Sequence, residues 1–337
     1  MTIDLNTQVM LESIEAELHK AIEDGTESEL GEYYHMLAYH LGWEGENAGP
    51  ETRGKRIRPQ LVLLTCSAGG GDWQNALPAA AAVELIHNFS LIHDDIQDNS
   101  PIRRGRATVW KRWGIPQAIN AGDAMFTLAH LSLLQMEGST SSQIVNQAAK
   151  TLQQACLELT KGQFLDLTYE SKSHLPIEAY WQMVGGKTAA LLGACTELGA
   201  IAAGTSDYNR EKYRDFGYFL GLAFQAHDDL LGIWGDAALT GKSNESDLVT
   251  SKKSLPVLHG LNQDGLFAKR WAKGPIQTAE IAALAEQLEI EGSRAYTQEA
   301  ANKMTEKSLH SLDQAHPQGD PGKALKDLAH KLLLREG

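Results

Sequence analysis

Cysteine is scarce: Cys66, Cys156 and Cys195 are far apart and odd in number within 337 residues. That fits neither a disulfide framework nor a close-spaced zinc site, and it makes a reducing cytoplasm the expected compartment. Long apolar runs are missing as well. No stretch of about 18 uncharged apolar residues occurs, and the opening MTIDLNTQVMLESIEAELHK is acidic and amphipathic, so stable membrane insertion is not expected. Positive charge is outweighed, with 30 Lys and Arg against 43 Asp and Glu and a formal charge of -13. A general nucleic-acid binder needs a basic surface, so that class is disfavoured, and any anion must be held by locally concentrated basic residues. No Pro-, Gly- or Ser-rich linker separates two compositional halves, which leads us to expect one domain over residues 1–337.

What is present is helical patterning. Apolar residues recur at three- and four-residue spacing while period-two alternation is scarce, so the fold class is all-α. Helices are expected over about Thr7 to Glu23, Arg56 to Ser67, Pro78 to Gln97, Pro116 to Gln135, Ser141 to Leu167 and Pro176 to Gly185. Further ones are expected over Lys187 to Ala203, Asn209 to Ile233, Leu248 to Leu261, Pro275 to Leu288, Gly292 to Ala315 and Lys323 to Leu334. Several begin with Pro in the first turn, where its missing N–H costs nothing. GWEGENAGPETRG, SAGGGDW and HPQGDPG read as connections. No 20- to 50-residue period marks a helical repeat array.

Two of these helices carry His-Asp-Asp. In LIHDDIQDNSPIRRGR, Asp94 and Asp98 are four residues apart and project from one helix face about 6 Å apart, with Asp95 turned aside. Carboxylates gathered on an apolar helix are costly unless a cation offsets their repulsion, and hard oxygen ligands favour Mg²⁺, which bridges to substrate phosphates. An isolated D-D-x-x-D is as often a solvated helix end; the basic run Arg103, Arg104 and Arg106 tips the balance towards an anion site. In FQAHDDLLGIWGD, Asp228 and Asp229 are adjacent and Gly232 stands four after Asp228, so the i, i+4 grip is absent. Downstream come Asp236, Lys242, Asp247, Lys252 and Lys253, of which Lys242 and Lys252 are candidate partners for a leaving diphosphate.

RGKRIRP places Lys55, Arg56 and Arg58 around a helix start, where backbone N–H groups add to an anion pocket; the alternative is a surface basic patch. GGKT, with Lys187 and Thr188, is not a P-loop, because Trp181 stands where that motif needs glycine and no strand precedes it. His93 and His227 are poor candidates for a magnesium site, which prefers oxygen. His87, two turns before Asp94 on the same face, is placed to donate to a diphosphate or to pack as a buried structural histidine.

The ordered set GKRIRP, ELIHNFSLIHDDIQD, RRGRAT, GKT, FQAHDD, GD, GK and KKSLP resembles the trans-isoprenyl diphosphate synthases, the polyprenyl synthetase family, from about Arg53 to Pro256. The resemblance implies an all-helical homodimer whose two aspartate-rich motifs face each other across a deep apolar cavity. It implies that Asp94 and Asp98, with Asp95 supporting, hold two Mg²⁺ on an allylic diphosphate and that Asp228 with Asp229 holds a third. By the same resemblance Arg103, Lys187 and Lys252 would bind that diphosphate, with Lys242 assisting. Lys55, Arg58, His87 and Arg104 would bind isopentenyl diphosphate, and Thr188 and Gln225 would face the cationic intermediate.

The chain departs from the family's pattern at Gly232, Arg53, Ala107 and Glu245. Magnesium binding is expected to survive them, because Asp228 keeps its oxygen. Phe89, five residues before Asp94 and about 7.5 Å deeper along the helix, is a candidate cavity floor beside the small Ser90. That combination resembles synthases that stop at C20, with C15 next; the alternative is ordinary core packing of Phe89. Three rival readings are a terpene cyclase on the same fold, a metal hydrolase and a non-catalytic partner subunit. Lys55, Arg58 and Arg104 oppose the first, the lack of a spaced histidine set opposes the second, and retention of both aspartate pairs opposes the third.

Overall fold

Three- and four-residue apolar spacing forms helices almost throughout the computed structural model, which describes residues 5–25, 31–235 and 247–333. In chain order they are α1 Leu5–Asp24, α2 Gly31–His40, α3 Pro50–Arg53, α4 Ile57–Ala68, α5 Leu77–Gln97, α6 Val109–Trp113, α7 Ile115–Leu134 and α8 Ser142–Glu170. There follow α9 Ile177–Val184, α10 Ala190–Ala202, α11 Asp207–Trp234, α12 Leu255–Asn262, α13 Leu266–Trp271, α14 Ile281–Ile290, α15 Ser293–Gln314 and α16 Gly319–Leu333. The fold is all-α, and the sheet seen among the described residues is one hairpin, β1 Ile102–Arg103 with β2 Arg106–Ala107. Among the described residues no helix is long and apolar enough to cross a membrane.

Several local outcomes differ from the expected pattern, among them the short helices α3, α6 and α13, which were not expected, and α14, which starts at Ile281 rather than Pro275. Helix α2 was not anticipated; its GEYYHMLAYH run buries the consecutive residues Met36, Leu37, Ala38 and Tyr39, which show no three- or four-residue apolar spacing. The helix expected from Leu248 starts only at Leu255, after turns at 247–251, because Pro256 favours a first turn and the Leu255 N–H is taken by the Asp229 carboxylate at 2.9 Å. The helices expected to end at Gly185 and begin at Lys187 are continuous through a π-helical turn, Gly185–Ala189.

By contact the chain divides into two compact units, each assembled from interleaved stretches. The first comprises 1–153, 195–210 and 318–322; the second comprises 154–194, 211–317 and 323–337. The divisions at 153, 194 and 210 fall inside α8, α10 and α11 rather than in loops, so no linker composition announces them.

In the first unit α5 packs along α7. Four consecutive alanines, Ala79 to Ala82, are fully buried and keep the start of α5 slim, while Ala118, Ala121, Met125 and Ala129 form the buried face of α7. A charged knot lies beneath. Arg56, at the start of α4, donates to Glu15 of α1 at 2.6 Å, to Glu84 of α5 at 2.8 Å and to the Leu41 carbonyl at 3.3 Å. The second unit has two apolar centres. Tyr180, Met183, Val184, Leu222, Leu255 and Leu258 pack in one, and Ile233, Val257, Phe267 and Leu288 in the other.

Candidate active site

The first aspartate cluster closes α5. Asp94 is half-buried and Asp98 exposed, whereas Asp95 is buried at 2% exposure. Burial pushes the Asp95 carboxyl up to about 6, and Arg103 acts against that rise. The Arg103 Nε donates to Asp95 Oδ1 at 2.8 Å, while Asp95 Oδ2 is buried without a hydrogen-bond partner. What brings Arg103 back is the hairpin. Arg104 and Gly105 both take positive φ, 51° and 73°, as a two-residue hairpin turn requires, so the RRGR run folds onto the end of α5. Arg104 then donates to the Thr52 carbonyl at 2.9 Å, and Arg106 to the Glu44 carbonyl at 2.6 Å with its guanidinium 3.9 Å from the Tyr39 ring centre.

The basic segment before α4 divides into two roles. Lys55 is exposed and Arg58 half-buried, its Nη1 3.4 Å from His87 Nε2. Arg56 does not join an anion pocket: its guanidinium is turned inward to Glu15 and Glu84, since an arginine left buried without carboxylates would be prohibitively costly. Burial and the nearby Arg58, Arg104 and Arg103 drive His87 well below its ordinary range. His40 was missed by the sequence reading. It lies with Asp95, Arg103, Arg104 and Thr52 around one cavity of the first unit, and burial, then Arg104 and its neighbours, lowers it to about 3. Only its place at the end of an unanticipated helix could have revealed it.

The second cluster is built on a backbone crossing. A Cβ on Gly162 would strike the Lys187 backbone nitrogen, and one on Gly186 would lie 2.6 Å from the Glu158 carbonyl oxygen and 2.8 Å from Gly162 Cα. Paired glycines thus let α8 touch the π-helical turn, and one turn further along α8 Asp166 meets Lys187 at 2.5 Å. Asp166 carries no motif of its own; the small residue one turn before it was the available signal. Thr188 Oγ1 donates to Gln225 Oε1 at 3.2 Å, and the Gln225 amide donates to Asp229 Oδ1 at 3.0 Å. Asp229 is 1% exposed and raised by burial, against the pull of Lys252. With its Oδ2 accepting from the Leu255 N–H, Asp229 holds the framework, while Asp228 beside it is half-buried.

Lys187, Thr188, Gln225, Asp229 and Lys252 line one cavity of the second unit together with Asp166. Although loss of water opposes its charge, Asp229, Asp247, Asp228 and Asp166 hold the Lys252 ammonium above its ordinary range. Lys253 has a different task, donating to the Tyr169 and Glu170 carbonyls at the end of α8 at 2.5 and 2.8 Å. Asp236, Lys242 and Glu245 lie outside the described residues.

Among the described residues no three His, Cys, Asp or Glu side chains form a group able to hold a metal by themselves. Mg²⁺ keeps several waters and is commonly held by one or two carboxylates plus substrate phosphates. The i, i+4 pair Asp94 and Asp98, and the half-buried Asp228, offer carboxylate oxygens of that kind. His93 turns instead towards the Ile119 carbonyl at 3.5 Å. Nearer the middle of α5, the Phe89 ring meets His93 at 4.9 Å and Phe126 at 5.2 Å, so the candidate floor residue belongs to an aromatic stack with α7. Ser90 Oγ donates to the His87 carbonyl at 2.8 Å. All three cysteines are free and buried, each thiol pushed up to about 12 by burial.

A family model described as Polyprenyl synthetase matches residues 48–288. A (2E,6E)-farnesyl diphosphate synthase of Mycobacterium tuberculosis is 40% identical over 311 residues, spanning 89% of this chain and 86% of that protein. A geranylgeranyl diphosphate synthase of the same organism is 41% identical over 266 residues, 75% of either chain. Among solved structures, polyprenyl synthetase from Streptomyces coelicolor A3(2) is similar with a TM-score of 0.87 and 35% identity, over 97% of this chain and 98% of that one. On the extent of these matches, the chain belongs to the polyprenyl synthetase family.

Proposed function

We propose that the protein is a Mg²⁺-dependent trans-prenyltransferase that condenses isopentenyl diphosphate with an allylic diphosphate to a short all-trans product, C20 first and C15 next. The observation that carries this reading is a shared construction. Each His-Asp-Asp segment spends its second aspartate on the framework, keeps its first less buried, and has a cation close by, Arg103 in one case and Lys252 in the other. Asp94, Asp98 and Asp228 would hold three Mg²⁺, whose chemistry is to neutralise the diphosphate as it departs.

Arg103, Lys187 and Lys252, with Lys242, bind the allylic diphosphate, and their positive charge counts for more as the C–O bond breaks and the leaving oxygens gain charge. Lys55, Arg58, His87 and Arg104 hold isopentenyl diphosphate, whose double bond attacks the allylic carbon; released diphosphate takes up the proton that is lost. Thr188 spends its proton on Gln225 and so presents lone pairs, the polarity suited to a neighbouring cation. Both substrates are small diphosphates, and the net charge of -13 argues against nucleic acid as a partner. A symmetric homodimer is supported by the exposed apolar residues Ile119, Phe126, Leu131 and Leu134 on α7, and a cytoplasmic setting by the free thiols.

Product analysis with labelled isopentenyl diphosphate, Mg²⁺ and dimethylallyl, geranyl or farnesyl diphosphate tests this. Label in a linear C20 diphosphate is the expected result. A cyclised hydrocarbon formed from farnesyl diphosphate alone overturns it. In the same assay Phe89→Ala is expected to lengthen the product, and unchanged length would exclude Phe89 as the floor.

A further inference from the structure

The second aspartate-rich segment lacks a carboxylate at position 232, and another residue fills the space. A Cβ on Gly232 would lie 2.5 Å from Asp247 Oδ2, 2.8 Å from its Cγ and 3.1 Å from its Oδ1. No side chain at 232 can coexist with the Asp247 carboxylate where it now lies. The main chain of residue 247 is fixed beside that turn: the Asp247 N–H donates to the Gly232 carbonyl at 3.3 Å, and the Lys252 N–H donates to the Asp247 carbonyl at 3.0 Å. Its charge also acts on the groups that Asp228 and Asp229 act on, since it joins them in holding the Lys252 ammonium.

We propose that Asp247 supplies, from outside the segment, the carboxylate that position 232 lacks, and that residue 232 is glycine because Asp247 occupies its side-chain space. This rests on the reading that Asp228 holds Mg²⁺ on a diphosphate. Residue 232 is one helical turn beyond Asp228, so a carboxylate there would adjoin Asp228 on the same helix face. Asp247 brings its carboxylate to that turn and fixes the backbone of Lys252 with the same residue. It is a positioning residue, acting on the ion through Asp228 and on the diphosphate through Lys252. Restoring an aspartate at 232 should therefore harm the site unless Asp247 is removed with it.

The experiment uses the full chain and inorganic diphosphate as probe, with calorimetric binding followed across a Mg²⁺ titration. Asp247→Asn keeps the side chain's size and removes its charge; it is expected to raise the half-saturating Mg²⁺ concentration by roughly ten- to a hundredfold, the range typical of residues that support a metal ligand. Gly232→Asp should raise it as well, and the double variant Gly232→Asp with Asp247→Gly should bring it back towards the parent value. Parent-like Mg²⁺ dependence in Asp247→Asn overturns the proposal, as does a folded double variant no better than Gly232→Asp. If the Gly232 variants do not fold, Asp247→Asn alone decides. The underlying reading fails separately: Asp228→Ala with unchanged Mg²⁺ dependence removes it, whatever Asp247 does.

Discussion

The two His-Asp-Asp segments look alike in sequence, and they are alike in one respect that sequence conceals. In both, the second aspartate is almost fully buried and works for the fold: Asp95 anchors the hairpin through Arg103, and Asp229 caps α12 and orients Gln225. They differ in where the partners come from. Asp95 and Arg103 are eight residues apart and joined by a tight hairpin. Around Asp228 and Asp229 the partners Asp166, Lys187, Asp247 and Lys252 come from separate stretches of chain. One cluster is local, the other assembled by packing. A local cluster tolerates disturbance of the surrounding core, whereas an assembled one depends on every contact that brings its parts together.

The largest stability effect belongs to the charged knot below the first cluster. Arg56→Ala would strand Glu84, a side chain 4% exposed, without its cation. The expected loss is about 3–5 kcal/mol, read by denaturant unfolding, as for other broken buried pairs. A loss near zero would show that the knot does not tie α1, α4 and α5.

Next comes the glycine crossing. Gly162→Ala is expected to cost about 1–3 kcal/mol through overpacking and to part Lys187 from Asp166. Diphosphate binding in the second cluster should weaken in step. If stability falls while diphosphate affinity stays constant, the second cluster is less dependent on packing than the comparison holds.

The smallest effect is in pH. His40 has an ordinary value of 6.5 and is lowered to about 3 in the fold, by burial first and then by Arg104, Arg103, Arg56 and Arg106. Its folded value lies below the unfolded one, so the unfolded chain takes up the proton first. The stability His40 contributes is complete above pH 6.5 and is lost as pH falls towards 3. His87 acts in the same direction. In the second unit His227 is lowered by burial alone. Hydrogen exchange should therefore quicken in α2 and the hairpin before α11 as pH drops below 6.5, and His40→Gln should flatten that response. Equal acid sensitivity in both regions would blur the distinction.

Much of this was legible before the fold was known. The all-α class follows from spacing alone, and the first cluster follows from DDIQD and RRGR because its geometry is set within a few residues. What spacing could not give was the direction of Arg56, since the same RGKRIRP string reads as surface-basic until Glu15 and Glu84 are known to lie beneath it. Nor could it give Asp166, an isolated carboxylate on a long helix, whose pairing depends on two glycines at 162 and 186 meeting. Asp247 was visible only as one charge in a mixed run. The late start of α12 has the same origin, because its cap, Asp229, sits 26 residues away.

Asp94 and Asp228 are proposed to serve one diphosphate reaction. The most direct test of that proposal is Mg²⁺-dependent binding and turnover of an allylic diphosphate in Asp94→Ala and Asp228→Ala, with folding checked by circular dichroism. Each change is predicted to lower turnover by about 10²–10³-fold while leaving the fold intact, the scale of losing one charge-stabilising group at a reacting centre. Unaltered turnover in either variant would contradict the account.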